Sequence, residues 1–209
     1  MTADVYRPEE DTILLARTLE HLGPCCGLVG EMGCGSGLVT EVLALLAEEV
    51  VSSDVLAEAA RATWFKAKRR GLDWKVHVVC CDRFEALREG KIFNVIAFNP
   101  PYLPVEGEDV AYGGGPTGIE VPLSFAESAA KRLSEGGLMV LLLSTLSDWH
   151  RALKLLSEKG FRVSVLCAKG VGLFEDLLAI LATRSTSQGS AHARDPDPHD
   201  ETVEVPVSH

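Results

Sequence analysis

No apolar run in this 209-residue sequence reaches the ~18 residues that a membrane-spanning helix needs. The opening Met1-Thr2-Ala3-Asp4 has neither the basic nor the apolar region of a secretory signal. Six cysteines are present, at 25, 26, 34, 80, 81 and 167, yet none has Cys-x-x-Cys spacing. That argues against a zinc site or a disulfide framework, so no metal is expected. Small buried thiols in a reducing, cytoplasmic setting account for them. A basic surplus is also missing. The net charge is −10, which disfavours nonspecific nucleic-acid binding as the main activity. From Ser185 onward, five acids against Arg194 contribute −4, which leaves −6 for residues 1–184.

What is present is the size and composition of one α/β domain, with 46% apolar and 24% charged residues. The first 184 residues carry regular apolar patterning. The last 25 turn to Ser, Pro, Asp and His and are expected to be a disordered acidic tail.

Two stretches stand out. Glu31-Met32-Gly33-Cys34-Gly35-Ser36-Gly37 follows a short apolar run and leads into an apolar helical pattern, so it reads as strand, glycine turn, helix. Glycines permit a sharp turn and close approach of a ligand, and the helix that follows offers free N–H groups. The spacing is Gly-x-Gly-x-Gly rather than the Gly-x-Gly-x-x-Gly of dinucleotide sites. Glu31 would repel a pyrophosphate but would accept hydrogen bonds from an ammonium group. A turn that only joins strand to helix would need the same glycines.

The second stretch is Asn99-Pro100-Pro101-Tyr102, after the apolar strand Phe93 to Phe98. Two prolines lack ladder donors and end the strand in a rigid loop. Asn99 offers an amide donor and acceptor, and Tyr102 a flat face and a hydroxyl. Together they suit a planar polar group, although Asn before Pro is also a common turn former.

Other strand ends carry acids. Asp54 closes the second strand about twenty residues after the glycine turn, where it suits ribose hydroxyls, or it serves as a helix N-cap. Asp82 closes the third, where it would accept from an exocyclic amine or act as an N-cap; with Arg83 it begins a short helix or turn through Leu87. Helices are expected from about Pro8 to His21, Leu38 to Leu46, Leu56 to Arg70, Glu120 to Leu133 (closed by Gly136-Gly137) and Asp148 to Lys159. The Gly/Pro-rich stretch from Leu103 to Gly118 reads as a loop beside the site, a lid or substrate platform. The final strands, Phe161 to Cys167 and Phe174 to Thr183, are expected to pair as an antiparallel hairpin, joined through Lys169-Gly170-Val171-Gly172. The alternation of strands and helices predicts a doubly wound α/β fold with a mostly parallel sheet, its ligand site at the strand carboxyl ends.

Residues 31–37 resemble motif I of class I S-adenosylmethionine-dependent methyltransferases, and Asn99-Pro100-Pro101-Tyr102 resembles the catalytic motif of those that methylate a planar nitrogen. The segment Tyr6-x-Pro8-x-Glu10-Asp11-Thr12 narrows the resemblance to the short HemK-like branch of archaea and eukaryotes, over about residues 6–184. That resemblance implies a Rossmann-like seven-stranded domain (residues 1–184) that binds S-adenosyl-L-methionine and methylates the glutamine of the Gly-Gly-Gln loop of class I release factors. By the same resemblance, Thr12, Gly33 and Gly35 would meet the methionine portion, with Glu31 near its ammonium. Asp54 would hold the ribose, Asp82 and the Arg83 backbone the adenine. Asn99, Pro100, Pro101 and Tyr102 would bind and present the substrate amide. It also implies a small zinc-binding activator protein at the third-strand edge, Trp74 to Cys80, beside Trp64-Phe65; a covering loop or helix would remove that edge. Methylation of a nucleic-acid base or a protein lysine, a non-catalytic cofactor-binding scaffold, and an NAD-dependent dehydrogenase remain the competing readings.

Overall fold

The computed structural model describes residues 9–105, 113–171 and 173–184. Tyr6 and Pro8 of the N-terminal motif, residues 106–112 of the Gly/Pro-rich loop, Gly172 and the acidic tail lie outside the described residues.

Seven strands form one sheet in the order β3-β2-β1-β4-β5-β7-β6. They are β1 (Cys25–Met32), β2 (Ala47–Asp54), β3 (Val76–Cys80), β4 (Phe93–Phe98), β5 (Leu133–Ser144), β6 (Phe161–Val171) and β7 (Glu175–Arg184). The first five run parallel; β7 lies antiparallel between β5 and β6. This is the seven-stranded Rossmann-like arrangement that the resemblance implies, with β3 at one edge.

Both faces of the sheet are covered, so the central strands are apolar on both sides. On one face Val29, Val95, Ala97 and Val140 pack with α1 (Glu10–Leu22), α2 (Leu38–Leu46) and α3 (Ala57–Arg69). On the other, Ile96, Phe98, Met139 and Leu141 pack with α4 (Glu120–Ala130) and α5 (Trp149–Glu158). Successive β4 residues alternate between these cores, as the two-residue strand period requires.

Two local expectations are corrected. The helix expected to reach Leu133 stops at Ala130. Leu133 instead pairs with Phe93 in the sheet, and the Arg132 carbonyl accepts from the Ile92 and Phe93 N–H groups. Gly136-Gly137 therefore lies inside β5, beside a register shift between Phe93 and Val95. Second, β6 continues through Lys169 and Gly170, because the ladder to Leu177 and Asp176 extends it. Of the helix or turn expected after Asp82, the structure has the turn. Asp148 caps α5 and accepts from the Arg151 N–H.

Chain order reverses between β1 and β4, the neighbours at the centre. Met32 pairs with Ser53 on one side and with Phe98 on the other. The turn after Met32 and the loop after Phe98 therefore leave adjacent strands at the same end of the sheet, which is the switch point where ligands bind in open α/β folds.

Candidate active site

A cavity of about 630 Å³ opens over the carboxyl ends of these strands, within the size range of small-molecule sites. Every residue expected at the site lines it: Thr12, Glu31, Gly33, Gly35, Asp54, Asp82, Arg83, Asn99, Pro100, Pro101 and Tyr102. The acids Glu9, Asp11 and Glu175 line it too.

The turn after β1 is held from β2. The Gly33 and Cys34 N–H groups donate to the Ser53 carbonyl at 2.8 and 3.0 Å. Asp54 Oδ2 accepts from the Gly35 N–H and Oδ1 from the Leu56 N–H, each at 2.9 Å. Asp54 is thus not the N-cap of α3, a position Leu56 fills; it ties together two turns that line the cavity. Gly37 begins α2 at φ +73°, and a Cβ there would stand 2.9 Å from the Thr63 hydroxyl oxygen, so neither conformation nor space admits a side chain.

Glu31 is buried. Its Oε2 accepts from Thr40 Oγ1, and from Ser52 Oγ at 3.4 Å. Burial pushes its carboxyl up to about 8, with the nearby Asp54 charge adding to the rise and the Thr40 and Ser52 bonds opposing it. Asp54 is also raised by burial, against the pull of its backbone donors. Cys34 is raised by burial, then by Glu31, so it holds a proton and is no nucleophile.

At the far wall Asp82 is exposed, and both its oxygens pair with the Arg83 guanidinium at 3.0 and 2.7 Å. Arg83 has φ +48°, an unfavourable conformation for a residue with Cβ and one met at functional sites.

The Asn99 amide donates from Nδ2 to Asp11 Oδ2 at 2.9 Å, and Tyr102 Oη donates to the same oxygen at 3.1 Å. Thr12 donates to Asp11 Oδ1 from its backbone N–H and, at 3.2 Å, from Oγ1. Asn99 Oδ1 is buried and has no hydrogen-bond partner among the described residues. Burial raises the Tyr102 hydroxyl above its ordinary range, and Asp11, Glu175 and Glu9 push the same way. Tyr102 is therefore a neutral phenol at any physiological pH.

Sequence reasoning missed Asp11 as a site residue, using it only within the N-terminal segment Tyr6 to Thr12. A signal existed: Asp11 shares the i, i+3, i+4, i+7, i+8 stripe with Leu14, Leu15, Thr18 and Leu19, all buried. A carboxylate on that stripe needs a buried partner. Glu175 was missed because its place depends on the hairpin register: Ser144 Oγ donates to its Oε1 at 2.6 Å.

The glycine-rich segment leans on Tyr102. Gly114 N–H donates to the Leu103 carbonyl at 2.8 Å. A Cβ on Gly114 would stand 2.7 Å from Tyr102 Cα, and one on Gly118 would stand 2.5 Å from the Tyr102 carbonyl oxygen.

Known proteins are similar to this chain in fold and in sequence. Residues 7–169 match the methyltransferase small domain family. A putative protein N5-glutamine methyltransferase of Methanocaldococcus jannaschii is 32% identical over 189 residues, covering 87% of this chain and 92% of that protein. The methyltransferase HEMK2 of Homo sapiens is 31% identical over 198 residues, covering 86% and 89%. Among solved structures, the E. cuniculi Mtq2–Trm112 complex, described as responsible for methylating the eRF1 translation termination factor, superposes with a TM-score of 0.72 at 27% identity, covering 88% of this chain and all of that one. With the parallel sheet, the Gly-x-Gly-x-Gly turn and the Asn-Pro-Pro-Tyr loop at one cavity, these matches make the chain a member of the methyltransferase small domain family, in its HemK-like protein-glutamine methyltransferase branch.

Proposed function

We propose that this chain uses S-adenosylmethionine to methylate the side-chain amide nitrogen of the glutamine in the Gly-Gly-Gln motif of a class I translation release factor, in the cytoplasm. The observation that carries this reading is Asn99: an acceptor oxygen without a partner among the described residues, on a residue that lines the cavity. A buried acceptor left unpaired costs about 1–3 kcal/mol, and a substrate N–H would remove that cost.

The cavity suits the cofactor. Its volume fits a nucleoside joined to an amino acid. At Gly33 an added Cβ would find only Phe125, at 4.0 Å, which leaves backbone exposed to a ligand. Thr12, Gly33, Gly35 and Glu31 would hold the methionine portion, Asp54 the ribose hydroxyls, and Asp82 with the Arg83 backbone the adenine. When bound, S-adenosylmethionine supplies an electrophilic methyl group on a sulfonium sulfur.

An amide nitrogen is a weak nucleophile, because its lone pair is delocalised into the carbonyl. Asn99 Oδ1 and the Pro100 carbonyl would accept its two N–H bonds. That turns the nitrogen lone pair toward the methyl carbon and stabilises the positive charge that grows on nitrogen. Tyr102 would pack against the amide plane. Neutral as it is, Tyr102 is a poor base. None is required, since the methylated nitrogen is acidic and releases its proton to solvent.

A small zinc-binding activator protein is the proposed partner at the β3 edge. Trp74 is 73% exposed and Phe65 56% exposed beside that edge, and unpaired strand edges invite pairing with another chain.

The test is methyl transfer from labelled S-adenosylmethionine to a class I release factor and to its Gly-Gly-Gln→Gly-Gly-Ala variant, with duplex DNA and tRNA alongside, each with and without the activator. Label on the wild-type factor alone supports the reading. Label on a nucleic acid, or on both forms of the factor, overturns the acceptor assignment.

A further inference from the structure

We infer that Asp11, on the first turn of α1, is a positioning residue that sets which end of the Asn99 amide is offered to the methyl acceptor. The inference rests on the proposed role of Asn99 as the acceptor's grip.

An asparagine amide has a donor end and an acceptor end of nearly equal size, and their orientation is decided by neighbours. Here one neighbour decides it. Asp11 Oδ2 can only accept, and it lies 2.9 Å from the Asn99 amide nitrogen. Rotating the amide by half a turn would set two acceptor oxygens against each other and break that bond. Nδ2 is thereby committed to Asp11, and Oδ1 is kept as the end without a partner. A site with an unpaired acceptor selects a substrate that brings N–H groups. With the amide turned the other way it would offer N–H groups to the substrate's own.

Asp11 is itself fixed. Its Oδ1 takes two bonds from Thr12, and its Oδ2 also takes the Tyr102 hydroxyl. It is 5% exposed, so competing water is excluded and each bond is stronger than on the surface. The helix N-terminus favours its charge. One carboxylate, 88 residues upstream of Asn99 in the chain, thereby holds both polar side chains of the Asn-Pro-Pro-Tyr loop.

The test is a double-mutant cycle on the full chain, with its activator where turnover requires one, using the release factor as acceptor. Asn99→Ala should lower kcat by about 10²-fold. Asp11→Asn keeps the shape but can present either end to Asn99; it should lower kcat by about tenfold or more and leave cofactor Kd within about twofold. In the double variant the loss should equal that of Asn99→Ala alone, since groups that act as a unit are not additive. Asp11→Glu, which keeps the helix-terminal charge but moves the oxygen, should show the same dependence on Asn99. Binding of the release factor without cofactor should weaken in step in both single variants.

If Asp11→Asn and Asp11→Glu turn over like wild type, or if their losses add to that of Asn99→Ala, the positioning role is wrong while the grip stands. A loss of cofactor affinity as large as the loss of turnover also overturns it. If Asn99→Ala itself is without effect, the proposed grip and this inference fall together.

Discussion

Asp54 bridges two turns: one oxygen accepts from the Gly35 N–H and the other from the Leu56 N–H, both at 2.9 Å. The acid at the end of β2, proposed to hold the ribose, thus also fixes the glycine turn at the end of β1. The proposed cofactor contact and local folding share one side chain. Asp54→Asn leaves a single acceptor oxygen for two N–H groups and replaces charge-assisted bonds with weaker ones. The expected result is a cofactor Kd raised by about tenfold to a hundredfold, with stability lowered by about 1–3 kcal/mol. Calorimetric titration and thermal melts check both. An unchanged melt with weaker binding would mean that the bridge is not structural.

Gly118 stands against Tyr102 in the same way that Gly37 stands against Thr63. At φ +75°, with the Tyr102 carbonyl oxygen 2.5 Å from where a Cβ would lie and Ser147 Cβ at 2.7 Å, alanine carries both backbone strain, about 1–2 kcal/mol, and a clash. Gly118→Ala should push the Tyr102 backbone aside. We expect kcat to drop by about tenfold or more, in line with the sensitivity of turnover to small misplacements, while cofactor affinity stays near wild type. Steady-state turnover beside a cofactor titration reads the difference; equal losses in both would show that the loop acts on the cofactor side.

The sheet and most of the cavity wall were legible because each strand ends in a marked residue: glycines after β1, Asp54 after β2, Asp82 after β3 and Asn99 after β4. Period and punctuation are local properties, and a sequence displays them. Three things were not local. Leu133 leaves a helical pattern because Phe93, forty residues away, offers it a place in the sheet. Lys169 and Gly170 read as a turn, yet the ladder to β7 claims them. Asp11 meets Asn99 only through the packing of α1 over the strand ends, and no spacing records that contact. The glycines at 114 and 118 were visible as a loop, but their reason, the Tyr102 backbone against them, is tertiary.

Glu31 gives the chain a pH dependence whose sign can be worked out. Its folded value of about 8 lies above the ordinary carboxyl value near 4.5. The neutral acid is tolerated when buried and the charged one is not. Its contribution to stability is therefore full below about pH 4.5 and is lost progressively as pH rises toward 8. Glu31→Gln stays neutral throughout. The melting temperature of the variant relative to wild type, without ligand, should rise steadily between pH 5 and pH 8.5. A difference that is flat across that range would mean that Glu31 is ionised in the folded chain. Above pH 8 the order of cofactor affinity should be the reverse of the order of stability, because the ionised wild-type carboxylate is the better partner for an ammonium group.

The β3 edge makes a prediction about solubility as well as assembly. Trp74 and Phe65 are more than half exposed, and Trp64 is 40% exposed. Lys75 lies 5.3 Å from the Trp74 ring centre and Lys68 lies 5.0 Å from that of Trp64. Aromatic groups left in water with cations over their faces contribute little to the fold of the isolated chain, so removing them should be nearly neutral for it, within about 0.5 kcal/mol. At a protein interface the same side chains are the expected anchors. Trp74→Ser combined with Phe65→Ser should leave the melting temperature almost unchanged, reduce aggregation of the chain alone, and weaken capture of the zinc-binding activator by about tenfold to a hundredfold. Light scattering and a pull-down with purified activator measure the two effects. A double variant that unfolds would show that these aromatics support the fold, and one that still binds the activator at wild-type strength would place the partner on another surface.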